Sequence, residues 1–555
     1  MASVKKPARA QSKPDASVDP AGTRLVIGLH DPGMTPLLRA GLGGLAAAVQ
    51  AIPDGTLPTG AIAIEPDRVV LDWTTVKKPE ALLRPLFTAA FRIDRNGLID
   101  LPGSYRAPQQ DTAVRAALTD ALRRTFLQHG KHADREGKTS ALTIEIDGGN
   151  HTVAVQRHHG FIHQENWKGK EKAWKDIAAA LTAEPAKRKG IGLAGWANPG
   201  ASTRHAGFSA DTGVDYSPAL ALCACFAITG CISLCGPGPI GILIIPEPLD
   251  LHAFTQVRGE LAPHQRADCY VGCAGDGALA VAIALRADRA RQWSRGIARV
   301  HAMTLSTVAW VQGGQKVRVD TLACSRFPDH ALDSFAELTS HCPTRQIFTQ
   351  PKKKGELTGC WTIPSNLRGF VADNLVRGHP WFHGFSIKRY SDHRKRPRFR
   401  WIHRYYTTND KLGCLRLPDD KKGLIAMTKI LDEAQRLLIM SVHTALRCRY
   451  GKISKENKEN DVARNKRSRS ERDKWRMQLA GAKTAEQVRA ILADLWSRAG
   501  TVKELQTGWE SIIPLLNEHW LECRDLSLVA LASYQGKDTE NEDTDAAEEN
   551  PDLEQ

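Results

Sequence analysis

The 555-residue sequence lacks the short motifs that usually mark metal, phosphate and membrane chemistry. HExxH does not occur, and none of the twelve cysteines stands in a CxxC pair, so zinc is denied its usual ligand spacing. The cysteines follow no regular interval and no secretory leader is expected, which points to reduced thiols in a cytoplasmic protein. Gly137-Lys138-Thr139 has the ending of a phosphate loop, but His132 stands where that loop needs its first glycine. A helical pattern precedes it and a strand pattern follows, the reverse of the required order. Ser217–Pro246 carries no charge, yet Gly236-Pro237-Gly238-Pro239 interrupts it. Its Ala, Cys, Ser and Thr content falls short of the ~20 predominantly apolar residues of a spanning helix. The expectation is a buried helix followed by a buried strand, with no membrane contact.

Acidic side chains are also in deficit. Asp and Glu number 61 against 76 Lys and Arg, a formal charge of +15 with a pI near 9.3. The final stretch, Lys537–Gln555, holds nine acids and one Lys, so the remainder carries about +23. Such an excess calls for a polyanionic partner.

The cations cluster. Ile387–Tyr406 contains Lys388, Arg389, Arg394, Lys395, Arg396, Arg398, Arg400 and Arg404, with Tyr390, Phe399, Trp401, Tyr405 and Tyr406 threaded among them. Cations neutralise phosphates and release counterions, while flat rings stack on unpaired bases. The alternation Arg398-Phe399-Arg400-Trp401 has the period of a strand and predicts guanidinium groups on one face and rings on the other. A solvated basic face backed by core aromatics is the competing reading. Lys187–Phe208 combines Lys187, Arg188, Lys189, Arg204 and His205 with five glycines, which let backbone amides approach a phosphate. Trp196, Asn198 and Arg204 suit base edges or a wedge in a duplex step, against the alternative of a plain surface loop. Lys352, Lys353 and Lys354 form a third patch, and Gln315, Lys316 and Arg318 a fourth. Between Lys452 and Met477 the chain is highly charged, through Arg464, Lys466, Arg467, Arg469, Arg472, Lys474 and Arg476.

Candidate catalytic groups are sparse. His30-Asp31 has the residue types of a metal-nuclease dyad, but a lone pair at a strand end reads as a turn. His151, His158, His159 and His163 stand without a carboxylate or Cys at ligand spacing, which favours a polar strand face or a phosphate contact. Cys223, Cys225, Cys231 and Cys235 lie inside the uncharged run and read as small buried hydrophobes. No metal, cofactor or catalytic residue is assigned.

Met1–Gly22 has no periodic pattern and is expected to be a disordered basic tail. Leu25–Leu29 reads as a strand, and Thr35 caps a helix with Pro36 at its first position and Leu37–Gln50 continuing it. Gly41, Gly43 and Gly44 weaken that helix and predict close backbone packing. Ile62–Ile64 and Val69–Trp73 read as a hairpin, and Asp111–His129 as a helix. Beyond Asp410, Leu424, Met427, Leu431, Leu438, Val442 and Leu446 fall on one helical stripe. Thr484 and Gln487 form a capping box, and Leu505–Trp520 and Leu521–Tyr534 complete four or five helices able to bury a shared core. The predicted class is α+β: a mixed α/β body over 23–415, a helical bundle over 416–535 and an acidic disordered tail over 536–555.

Leu29–Leu45 (LHDPGMTPLLRAGLGGL), Trp196–His205 (WANPGASTRH), Asp373–Phe385 (DNLVRGHPWFHGF) and Ala493–Lys537 (ADLWSRAG…CRDLSLVALASYQGK) together resemble one family. That family is the large subunit of type I CRISPR surveillance complexes (Cascade), in its MYXAN-like branch, and the resemblance spans roughly residues 23–537. It implies a mixed body that contacts the crRNA and neighbouring backbone, 5′-end and small subunits and reads the protospacer-adjacent motif (PAM) in duplex target DNA. A bundle similar to the Cascade small subunit would line the displaced strand. The subunit would help recruit a helicase–nuclease, or transposition machinery in transposon-associated systems. Lys187, Arg188, Lys189, Trp196, Asn198, Arg204, His205, Gln315 and Lys316 are the candidates for PAM contact, chosen on side-chain chemistry. Lys352–Lys354 and the Ile387–Tyr406 cations are assigned to nucleic-acid backbone, and Arg464, Lys466, Arg467, Arg469 and Arg472 to the displaced strand. Guide pairing would carry most sequence specificity, leaving the protein a short duplex motif and backbone shape. The competing classes are a stand-alone RNA-binding or scaffold protein and a metal-dependent nuclease.

Overall fold

The computed structural model describes residues 22–105, 111–127, 139–146, 148–158, 172–184, 190–193, 199, 214–287, 296–311, 314–324, 327–349, 359–391, 399–403, 417–458, 460–500 and 502–535. The chain divides into two compact units, 1–327 with 346–361, and 328–345 with 362–555. The α+β class holds: strands and helices mix in the first unit, and helices dominate the end of the second.

In the first unit, Thr35 caps the Pro36–Ala51 helix by accepting from the Leu38 amide, with Pro36 opening it. This helix lies against Pro218–Gly230, and the glycines explain the pairing. A Cβ at Gly41 would overlap the Cys223 carbonyl, one at Gly44 the Phe226 carbonyl, and one at Gly230 the Ala40 carbonyl. Backbone therefore rests on backbone at Gly41 and Gly44, as predicted, whereas Gly43 of the triplet makes room for the side chains of Phe254 and Pro248. The uncharged run folds into that second helix and a buried strand, Gly241–Pro248, as expected, and its stretch Ile232–Cys235 forms a further buried strand paired with it. No helix among the described residues is long and apolar enough to cross a membrane.

Ile297–Val311 and Gly314–Cys324 extend the strand pair into a four-stranded antiparallel sheet. A second sheet pairs Arg24–Gly28 with Arg68–Asp72, which also pairs Ile62–Ile64 in the predicted hairpin. The helix expected over 111–129 spans Thr112–Arg124, capped by Asp111.

Arg258, on the Leu251–Glu260 helix, is fully buried. Its Nε donates to the carbonyls of Thr229 (2.9 Å) and Gly230 (3.1 Å), and its terminal nitrogens to Cys231 (2.7 Å) and Ser104 (2.8 Å). The cation thus sits on the C-terminal carbonyls of the Pro218–Gly230 helix, the end whose dipole favours positive charge. Burial lowers its pKa to about 10, which leaves it charged at neutral pH.

The second unit takes in more chain than the predicted 416–535 bundle. Helices Asp329–His341 and Asn366–Val376 pack on Leu417–Lys429, so the packing boundary falls well before residue 416. Buried Asp420 explains the attachment: Ser365 donates to its carboxylate at 2.5 Å and the Leu367 amide at 3.4 Å, both at the start of the Asn366–Val376 helix. The hydrophobic stripe expected from Leu424 to Leu446 is split between Leu417–Lys429 and Glu433–Glu456. Asp432 makes the break, capping the second helix through the Gln435 amide. Thr484 caps Ala485–Ala499 as predicted, but Gln487 reaches back to the Lys483 amide instead of that of Thr484. Asp461–Gly481, Lys503–Glu518 and Trp520–Ser533 complete the set.

Gly44→Ala is expected to cost about 1–3 kcal/mol by overpacking, read as a lower midpoint in denaturant; an unchanged midpoint would show that the two helices can part without penalty. The pH dependence of the second unit follows from Asp420. Burial, partly offset by Ser365 and Leu367, raises its pKa to about 7 from 3.8. Between these values the folded protein keeps a proton that the unfolded chain releases, so stability falls as pH rises from about 4 to about 7. Asp420→Asn should flatten that slope in melts across the same range. An identical slope in the variant would place the titration elsewhere.

Candidate nucleic-acid interface

Of the predicted cationic clusters, the one on Asp461–Gly481 is described with its side chains. Asn460 caps this helix through the Ala463 amide (2.9 Å), and only Trp475 and Leu479 are buried along it. Buried Trp475 receives the Arg498 guanidinium of the Ala485–Ala499 helix over its ring at 5.8 Å, which anchors the helix near its C-terminal end. The N-terminal half projects polar and charged groups, and even Val462 is 79% exposed.

Its cations divide by task. Arg472 is half-buried and donates to the Leu531 carbonyl at 2.7 Å, tying the helix to Trp520–Ser533. Arg476 pairs with Asp473, and Arg464 with Asp461 at 2.9 Å. Arg467 meets Glu456 at 2.7 Å, but both groups are about half exposed, and such a pair yields readily to a competing phosphate. Lys466 and Arg469 are exposed, three residues apart and therefore on one face. The outward set is Lys466, Arg467 and Arg469, while Arg472 has a structural bond.

Two further clusters are placed by backbone alone. Ile387–Ser391 and Phe399–His403 form an antiparallel hairpin that sets Arg389 opposite Trp401 and Tyr390 opposite Arg400. Within Phe399–His403 the alternation sets the Phe399 and Trp401 positions on one face and Arg400 on the other, as the period predicted. Opposed residues share a face, so the partner strand adds a cation position beside Trp401 and a ring position beside Arg400. Gln315 and Lys316 open the strand that returns from the long Ile297–Val311 strand, opposite Ala309 and Val308. They stand near the turn end of a two-stranded ribbon.

The remaining predicted contacts, Lys187, Arg188, Lys189, Trp196, Asn198, Arg204, His205, Lys352, Lys353, Lys354, Arg394, Lys395, Arg396, Arg398 and Arg404, lie outside the described residues.

The candidate catalytic groups fall to structural roles. Asp31 turns its carboxylate back to the Gly28 amide at 2.7 Å, which makes His30-Asp31 a turn. His151 stacks on Phe348 with centroids 3.8 Å apart, and His158 is buried; His159 and His163 lie outside the described residues. Burial pushes the Cys225 and Cys231 thiols up to about 12 and those of Cys223 and Cys235 higher, so each behaves as a hydrophobe. Among the described residues no group of His, Cys, Asp and Glu could hold a metal.

The chain is 39% identical over 543 residues to the CRISPR-associated protein Cas8a1/Csx13 of Myxococcus xanthus (strain DK1622), covering 95% of this chain and 91% of that protein. The chain belongs to the Cas8a1/Csx13 family. Residues 26–225 match the DevT N-terminal domain and 427–555 the DevT C-terminal domain. It is therefore a Cascade large subunit of the MYXAN-like branch, as the four motifs implied. Two of those motifs build the Cas8a1/Csx13 fold in this chain. GLGGL supplies the helix contact described above. In DNLVRGHPWFHGF, the Asn374 amide donates to the carbonyls of Trp381 and His383, both at 2.9 Å, while Trp381 and Phe382 are buried. The Gly384 amide then donates to Asp525 at 2.6 Å.

Proposed function

We propose that this Cascade large subunit reads the PAM in target duplex, contacts crRNA and guides the displaced strand along its helical bundle. The observation that carries the reading is the exposure of Lys466, Arg467 and Arg469 together on one helix of the bundle. A row of exposed cations suits a phosphate backbone without regard to sequence. PAM contact is assigned to Lys187–Lys189, Trp196, Asn198, Arg204, His205, Gln315 and Lys316, on their side-chain chemistry. The hairpin cations from Lys388 to Arg404, with Lys352–Lys354, hold further backbone. The chain works in the cytoplasm with the other Cascade subunits and helps recruit a helicase–nuclease or transposition proteins, performing no chemistry of its own.

The test is a titration series on the assembled complex. Lys466→Ala, Arg467→Ala and Arg469→Ala together should weaken DNA binding whatever its sequence. Each lost phosphate contact flattens the log–log salt dependence by ~0.7 on a single strand, so the triple variant should lose about 2. Asn198→Ala or Arg204→Ala should instead cost about 1–3 kcal/mol on DNA with the correct adjacent motif and far less elsewhere. An unchanged slope in the triple variant would make the helix a solvated face or a protein-contact surface. Incubation of the purified chain with DNA or RNA and magnesium or manganese should give no cleavage. Cleavage lost in His30→Ala would restore the nuclease reading.

A further inference from the structure

In the first unit, one buried carboxylate gathers more positive charge than it can balance. Glu247, on the Gly241–Pro248 strand, has a side chain only 3% exposed. Arg299 stands opposite it in the strand register, and its Nε reaches Oε2 at 2.9 Å. His301, two residues further along the same strand, meets Oε2 at 3.3 Å. Arg39 arrives from the Pro36–Ala51 helix and bonds Oε1. Two guanidinium groups on one carboxylate leave one full positive charge in excess, before His301 is considered.

The cations are not consumed by this pairing. Arg299 keeps 55% of its side chain exposed and Arg39 keeps 29%. The closest approach of Arg299 to Glu247 is through Nε, and the exposed part of its guanidinium faces solvent, where a planar oxyanion can meet it. The Arg39 Nε is buried without a hydrogen-bond partner, a donor whose desolvation is uncompensated. A buried acid meant only to be satisfied would need one arginine. Two guanidinium groups, one from a strand and one from a helix, held on one oxygen pair and both partly exposed, are arranged for a second anion. Guanidinium forks fixed in this way lose little entropy on meeting phosphate.

We infer that Arg39 and Arg299 form a clamp for a backbone phosphate of nucleic acid, with Glu247 as the residue that positions both. The inference rests on the nucleic-acid reading above but uses a different unit and different residues. Neither arginine belongs to the cationic clusters of the sequence. Glu247 performs no chemistry; it aims the forks.

Binding of the full-length chain to duplex DNA of arbitrary sequence would be measured over a range of salt. Arg299→Ala should flatten the log–log slope by ~0.9, a loss of roughly 8-fold in affinity at 0.1 M salt. Arg299→Lys should restore the slope, since it keeps the charge. Glu247→Gln separates aim from charge: it makes the site more positive, so simple attraction predicts tighter binding, whereas loss of aim predicts weaker binding. Weaker binding with a melt close to that of the parent supports the clamp, and tighter binding overturns the positioning role. If the parent binds DNA and Arg299→Ala leaves slope and affinity untouched, the clamp is wrong while the basic-helix reading stands. If the parent shows no salt-dependent binding at all, both fall. A parallel titration with inorganic pyrophosphate distinguishes the source. Pyrophosphate binding that Arg299→Ala abolishes, with DNA binding unchanged, would make this a site for a free phosphate compound and overturn the backbone assignment.

Discussion

The contact between the Pro36–Ala51 and Pro218–Gly230 helices is the constraint on which the first unit depends. At Gly41, Gly44 and Gly230 the two backbones touch with no side chain between them. Glycine in a helix interior costs ~1 kcal/mol relative to alanine, and here that cost is offset by an approach no other residue allows. The close fit also fixes what stands elsewhere on the first helix. Arg39 is one residue from Ala40, whose carbonyl lies against Gly230, so the guanidinium that meets Glu247 is carried by a rigid element. Packing of the smallest residues thus sets the position of one of the largest charged ones.

Charge is handled differently in the two units. In the helical region Arg464, Arg472 and Arg476 on Asp461–Gly481 are matched by neighbours one turn away or by the adjoining helix, and Lys466, Arg467 and Arg469 are distinguished by exposure. At Glu247, in the first unit, the pairing is long-range: Arg39 and Glu247 are 208 residues apart. Local pairing makes a surface that is ready for any polyanion. Long-range pairing makes a fixed geometry, which suits a single phosphate.

Legibility in the sequence follows the same division. Thr35 and Thr484 were readable as caps because the amides they accept from lie three residues away, whereas Asp111 was read as part of the helix it caps. The glycine triplet and the uncharged run were readable because their composition conflicts with any exposed role. The Asp432 break was missed because the apolar stripe runs through it in phase, and periodicity is blind to a cap inside a stripe. The hairpin's mixing of cations and rings depends on register across two strands, which one strand's alternation does not contain. Asp420 and Glu247 gave no signal at all: each is an ordinary acid until a distant segment closes over it. The predicted site residues in glycine-rich and lysine-rich stretches fall outside the described residues, so their spacing remains the only guide to them.

Arg258 carries a consequence for the order of assembly. Its counter-charge is not a residue but the end of a helix, the carbonyls of Thr229, Gly230 and Cys231. A carboxylate partner would exist in the unfolded chain and could pair early; a helix terminus exists only after the helix does. Until Pro218–Gly230 has wound, burying this guanidinium would leave a bare cation in an apolar interior, which is prohibitive. Docking of the Leu251–Glu260 helix is therefore favoured on a finished neighbour, whose terminal carbonyls receive the guanidinium.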